Sequence, residues 1–175
     1  MARLLLLLPT STYRAGDFLQ AARRLGAEVV VASERRQALA GVMGHRALTV
    51  NCRNPDEAAD RIARLAVRKP LDAVVAVDDE GVLVAALAVQ RLGLAYNPPD
   101  AVARSRDKVA MRRALQDAGV PQPEFRMAGP DAEVAELAAE VGLPCVVKPV
   151  SFSGDRKSTR LNSSHIQKSR MPSSA

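Results

Sequence analysis

The sequence predicts an α/β protein: an open, mainly parallel sheet covered by helices over residues 1–100, followed from about residue 104 by the start of a second, incomplete α+β unit. Three observations carry this. Short apolar runs alternate with amphipathic stretches of helical period through the first hundred residues, the order expected of a parallel sheet whose strands are joined by helices. The runs are apolar at every position rather than every second one, as in strands covered on both faces. Asn97-Pro98-Pro99 then interrupts the pattern, and the order of elements changes after it.

Taken in order, Leu4–Leu8 is a strand-length apolar run stopped by Pro9. The polar Thr10, Ser11, Thr12 and Arg14 follow it, so it falls short of the ~7–15-residue apolar stretch of a signal peptide. Phe18, Leu19, Ala22 and Leu25 recur at helical spacing, and Gly26 supplies a stop. Val29–Ala32 and Ala47–Val50 are the next strands. Asn54, Pro55 and Glu57 form a helix start, with a capping side chain, Pro at the first position and a carboxylate at the third. Ala58, Ile62 and Leu65 carry that helix to about Arg68, Pro70 ends it, and Ala73–Val77 is a fourth strand. Asp78-Asp79-Glu80 precede a helix from about Gly81 to Leu92 that is apolar nearly all round, which predicts packing on several sides. In the second unit, about 104–154, a helix over Asp107–Ala118 ends at Gly119 and Pro121. A strand over Glu124–Met127, a helix over Ala132–Val141 and a buried strand over Cys145–Val150 complete it. Some fifty residues in this order are too few to bury a core alone. No internal repeat is present.

Composition narrows the class of protein. The chain has 175 residues, 47% of them hydrophobic and only 3% aromatic with no Trp, so its core is aliphatic. Its two cysteines, Cys52 and Cys145, fit neither a metal knuckle nor a disulfide framework, and are expected as reduced, mostly buried thiols in a cytoplasmic protein. No stretch reaches the ~20 apolar residues of a membrane span. The formal charge of +6 is unevenly placed: residues 1–154 carry 20 Lys and Arg against 18 Asp and Glu, while residues 155–175 carry five against one. The body is nearly balanced, so a nucleic-acid or membrane partner is not expected.

Residues 155–175 follow a different grammar, with six Ser and no period of 2 or 3.6. Asp155 through His165 resembles the in-frame translation of a widely used sequencing adapter. Ile166-Gln167-Lys168 stand where its variable index would be, and Ser169 through Ala175 look like its continuation. This segment is expected to be a non-native tail without fixed structure or stabilising role. A nucleic-acid-binding arm, with strongly salt-dependent affinity, is the alternative if the tail is native.

The residues that carry chemistry lie just before it. Lys148 stands inside a run expected to be a buried strand, where an unpartnered charge is costly and calls for an anion or a cavity. Lys108 falls in the first turn of its helix, where the macrodipole disfavours a cation. Ser151-Phe152-Ser153-Gly154, a loop of small residues, follows Lys148. Together they suggest a polyanion held between two lysines. The plainer alternatives are a solvated Lys108 and a Lys148 that snorkels to the strand edge.

The segments SRDKVAMRRALQDAGVPQPEF and GLPCVVKPVSFSG resemble the ATP-grasp superfamily: its helix lysine, its Gly-Val-Pro connection, its lysine strand and the opening of its phosphate loop. The preceding α/β region is similar to the Rossmann-like domain that usually precedes it, and the resemblance covers about residues 1–154. It implies that Lys108 and Lys148 contact ATP, that Ser151, Ser153 and Gly154 begin the loop over the triphosphate, and that the reaction joins a carboxylate to an amine or other nucleophile through an acyl phosphate. Mg²⁺ is implied for the complete protein, a small carboxylate as substrate, and a homodimer is among the assemblies it allows. On this resemblance the chain is the front half of a ligase, itself inactive, because the adenine hinge and the magnesium ligands would follow Gly154. Asp78, Asp79 and Glu80 match no metal ligand of the family. They are expected to cap a helix, with the lining of a substrate cleft as the alternative. No GxGxxG follows the first strand and no GxxxxGK[ST] is present, against a dinucleotide oxidoreductase and a P-loop NTPase. The competing reading is a stand-alone α/β small-molecule-binding module without catalysis.

Overall fold

A computed structural model describes residues 1–9, 14–35 and 46–151, together with the backbone of 159–161. The chain divides into two compact units, Met1–Ala103 and Arg104–Ala175.

The first unit is built on four parallel strands, β1 (Arg3–Leu7), β2 (Glu28–Ser33), β3 (Ala47–Thr49) and β4 (Ala73–Ala76), in the order β3-β2-β1-β4. Leu5 lies opposite Val30 on one side and Val74 on the other. The ladder continues beyond the strands, with the Leu8 amide donating to the Ala32 carbonyl and the Val77 amide to that of Leu7. Between their polar ends the strands are apolar, and each face is covered. Leu5, Leu7, Val30, Ala32 and Val74 pack with Ala58, Ala59 and Ile62 of α2 (Pro55–Arg68) and Val84, Ala85, Ala88 and Val89 of α3 (Asp79–Leu92). Leu6, Leu8 and Val31 pack with Phe18 and Leu19 of α1 (Ala15–Arg24) on the other face.

Local details differ from the sequence reading in three places. Leu25, expected on the apolar face of α1, is 78% exposed, because the helix has already ended and Gly26 turns the chain with φ +62. Asn54 starts α2 without accepting a capping bond; its amide nitrogen instead donates to Glu57 Oε2 at 3.0 Å. Cys52 and Cys145 form no disulfide and are half-buried rather than mostly buried.

A group of charges absent from the sequence reading sits at the start of the central strand. Arg3 is 3% exposed. Its Nε donates to Glu28 Oε1 at 3.2 Å, its Nη1 to the Lys69 carbonyl, and its backbone amide to Asp72 Oδ2 at 2.7 Å. Lys69 Nζ donates to the other Glu28 oxygen. The starts of β1, β2 and β4 are thereby tied together.

Helix α4 (Pro99–Arg106) leads across the division. The second unit comprises α5 (Lys108–Asp117), α6 (Val134–Val141), and a two-stranded antiparallel ribbon of β5 (Cys145–Val147) and β6 (Thr159–Leu161). Three expectations are corrected here. Glu124–Met127 is not a strand. Pro121 and Pro123 remove donors on alternate positions, and the connection is pinned to α5 by side chains: Gln122 Nε2 donates to the Arg112 carbonyl at 2.8 Å, and the Arg112 guanidinium lies 5.9 Å from the Phe125 ring centre. The strand expected over 145–150 is shorter and is not buried: Val146 is 51% exposed and Lys148 lies exposed beyond its end. Two short strands cover each other only in part, so Cys145 and Val147 reach no more than half-burial. The tail expected to lack structure contributes β6, since the edge of β5 offers unpaired backbone groups that a passing strand satisfies. The rest of that expectation, at 155–158 and 162–175, lies outside the described residues.

Two predictions follow from the first unit. A β-carbon on Gly81, in the first turn of α3, would lie 3.2 Å from Leu7 Cβ and 3.3 Å from Ala76 Cβ. Both neighbours sit on paired strands and cannot yield separately. Gly81→Ala gains about 1 kcal/mol of helix propensity, against an overpacking cost of about 1–3 kcal/mol; denaturant titration is expected to show a net loss of stability. Glu28 is held below the usual carboxylate range, first by its hydrogen bond from Lys69 and then, against some desolvation, by Arg3. Its contribution is therefore fully present above the unfolded-state value and lost as pH falls through the lower folded one. The difference in urea midpoint between wild type and Glu28→Gln is expected to be constant above about pH 5 and to shrink as pH falls below about 4. A difference that grows on acidification would contradict the arrangement.

Candidate functional site

The site candidates of the second unit are organised by the first turn of α5. Asp107 is its N-cap, with extended backbone and a side chain whose Oδ1 accepts from the amides of Val109 at 2.8 Å and Ala110 at 2.9 Å. The Lys108 amide donates to the Val150 carbonyl at 3.0 Å. Helix starts ordinarily leave such donors without a partner; here all three have an acceptor within the protein. The backbone of this helix start is thus already engaged, and charge for an anion must come from side chains.

The Lys108–Val150 bond also defines what meets what. It brings the start of the lysine helix against the backbone two residues past Lys148 and one before Ser151. Lys108 is half-buried; Lys148 and Ser151 are exposed. The structure thus places Lys108, Lys148 and Ser151 around one backbone junction. Ser153 and Gly154 lie outside the described residues. The negative charge of Asp107 at the helix start also offsets the unfavourable position of Lys108 relative to the macrodipole. The sequence contains the signal for this, Asp directly before the first helical residue, and a search for N-caps finds it.

An open cleft of about 300 Å³ lies near the other end of α5, lined by Gln116, Val120, Gln122, Glu124 and Phe125 among others. Neither lysine lines it. Among the described residues, no group of three His, Cys, Asp or Glu is placed to hold a metal ion.

The first unit presents a separate feature. Chain connections run from β1 outward to β2 and β3, then cross back to β4 on the far side of β1. The carboxyl ends of β1 and β4 are therefore the point where an open α/β sheet forms its crevice. Asp78, Asp79 and Glu80 follow β4 there. Asp78 occupies the N-cap position of α3, yet its side chain makes no capping bond; the turn is closed by the Gly81 amide on the Asp78 carbonyl at 3.1 Å. The capping role expected of its carboxylate is not what the structure shows.

Residues 19–95 match the family model described as the ATP-grasp N-terminal domain. The chain is 30% identical over 149 residues to a formate-dependent phosphoribosylglycinamide formyltransferase of Cronobacter sakazakii, an alignment covering 84% of this chain and 37% of that protein. Among solved structures it is similar to an L-amino acid ligase from Bacillus licheniformis, with TM-score 0.62 and 20% identity over 93% of this chain and 39% of that one. A carboxyaminoimidazole ribonucleotide synthase from Aspergillus clavatus, solved with ATP, gives TM-score 0.62 and 21% identity over 93% of this chain and 42% of that one. The chain spans about a third of the length of the curated relatives it matches. No helix among the described residues is long and apolar enough to cross a membrane.

Proposed function

We propose that this chain, which carries the ATP-grasp N-terminal domain over residues 19–95, is the front part of an ATP-dependent ligase that joins a small carboxylate to an amine or another nucleophile. The observation that supports the reading is the hydrogen bond from the Lys108 amide to the Val150 carbonyl, because it brings the backbone of the lysine helix beside the segment from Lys148 to Ser151. In the reaction proposed, a carboxylate oxygen attacks the terminal phosphorus of ATP and ADP leaves. The nucleophile then attacks the acyl carbon and phosphate leaves. Lys108 and Lys148 offset the negative charge that moves over the phosphates, which is the larger part of catalysis in such transfers. Ser151, with Ser153 and Gly154, supplies the small residues whose amides cover them. Magnesium has no ligand set among the described residues. Two cysteines outside any disulfide and a nearly balanced body favour the cytoplasm.

A second reading, a small-molecule-binding module without catalysis, is favoured by one observation: the β1/β4 crevice bears an Asp78 carboxylate that the helix does not use. The reading frame beyond codon 154 separates the two, since the ligase requires an adenine hinge and acidic magnesium ligands there.

Calorimetric titration of ATP into the 175-residue chain and into a chain extended through its natural reading frame tests the ligase reading. The short chain is expected to bind weakly, because two lysines and part of a loop enclose little of the nucleotide. The extended chain is expected to bind in a magnesium-dependent way, and either lysine variant to weaken it about tenfold. Lys108→Ala is expected to have the larger effect. Lys108 is half-buried on a capped helix, whereas Lys148 is exposed past the end of a short strand, which reverses the order that a buried Lys148 would give. Tight binding by the short chain, or no effect of either substitution in the long one, would falsify the assignment.

A further inference from the structure

We infer that Asp107 is a positioning residue for the nucleotide, acting through Lys108; this rests on the ligase reading above. Asp107 touches no part of the proposed ligand path itself. Its Oδ1 holds the amides of Val109 and Ala110 at 2.8 and 2.9 Å, and its own carbonyl accepts from Met111 at 2.8 Å. Those three bonds set the direction of the first turn. The one remaining donor of that turn, the Lys108 amide, is thereby aimed out of the helix and meets the Val150 carbonyl.

The consequence is a mechanical link in two steps. The Asp107 side chain fixes the turn, and the turn holds the backbone at Val150. Little apolar cover surrounds this junction among the described residues: β5 ends at Val147, Val150 is 41% exposed, and Ala138 is the one fully covered apolar side chain described in the second unit. With so little core, hydrogen bonds at the helix start decide the local geometry. Without the cap, Val109 and Ala110 lose their acceptor, the first turn frays, and the Lys108–Val150 bond goes with it. The two lysines then lose their common reference, although both side chains are still present. Asp107 is needed for its acceptor oxygen, and Asn, an equally good cap, supplies one.

The test compares Asp107→Ala, Asp107→Asn and Gln122→Ala. Gln122 bonds the Arg112 carbonyl further along the same helix and controls for general loosening of the unit. In the extended chain, Asp107→Ala is expected to raise the dissociation constant for ATP about fivefold, the effect of a lost cap, while Asp107→Asn and Gln122→Ala stay within about twofold. In the 175-residue chain, amide exchange followed by NMR is expected to show Lys108 deprotected by Asp107→Ala and protected in Asp107→Asn. Should the Ala variant not fold, Asp107→Gly removes the same acceptor at smaller cost to the helix. The inference is overturned if Lys108 stays protected without the cap, if Asn fails as Ala does, or if Gln122→Ala weakens ATP as much. Wild-type binding with no change in Asp107→Ala overturns it alone. An extended wild-type chain that binds no ATP overturns the ligase reading, and the nucleotide role of Asp107 with it.

Discussion

A buried arginine at the first residue of β1 ties together the amino ends of three strands of the first unit. Parallel strands have no hairpins to align them, so their relative positions must be set by contacts between residues far apart in sequence. Arg3 makes such contacts with Glu28, 25 residues on, and with Lys69 and Asp72, 66 and 69 residues on. An arginine suits this place because its fork of donors reaches several acceptors at once and stays charged when covered. Removing it would leave Glu28 largely covered and deprived of one partner, the costly half of a broken buried pair. Once the amino ends of β1, β2 and β4 are aligned, strands of four to six residues carry that alignment to their carboxyl ends.

Those carboxyl ends are where close packing matters most. Gly81 lets α3 approach within contact of Leu7 and Ala76, so the helix begins directly over the gap between β1 and β4. The same place is the crossover point of the chain, and three acidic residues stand beside it. The arrangement separates labour by edge: the Arg3–Glu28 pair at the amino ends is covered and structural, whereas the Asp78 carboxylate at the carboxyl ends is not used for helix capping.

The second unit works under the opposite constraint. It has hardly any buried apolar surface among its described residues, and Val120, Met127, Leu143, Val146 and Val150 are all exposed. Its order comes from polar devices instead: the Asp107 cap, the Gln122 bond to α5, the Arg112–Phe125 contact, and the Lys108–Val150 bond. Each is worth little alone, which makes the geometry around the lysines dependent on a few named hydrogen bonds.

Much of the first unit was legible in the sequence because its signals are periodic and redundant. Leu4–Leu8, Val29–Ala32 and the α2 start at Asn54-Pro55 each state their element locally, and their uniform apolarity already implies a sheet covered on both sides. Lys108 and Lys148 could likewise be singled out by residue type and place. What the sequence could not supply were relations between distant residues. Nothing about Arg3 marks it as buried until Glu28, Lys69 and Asp72 converge on it. The burial assigned to Lys148 failed because an apolar run specifies a strand but not its burial, and here the strand ends at Val147, before Lys148. Local propensity thus determined which segments form helices and strands. Tertiary structure alone decided which charges are covered, which backbone groups are engaged, and that the helix of Lys108 meets the loop after Lys148, because those depend on contacts across about 40 residues and more that no local pattern encodes.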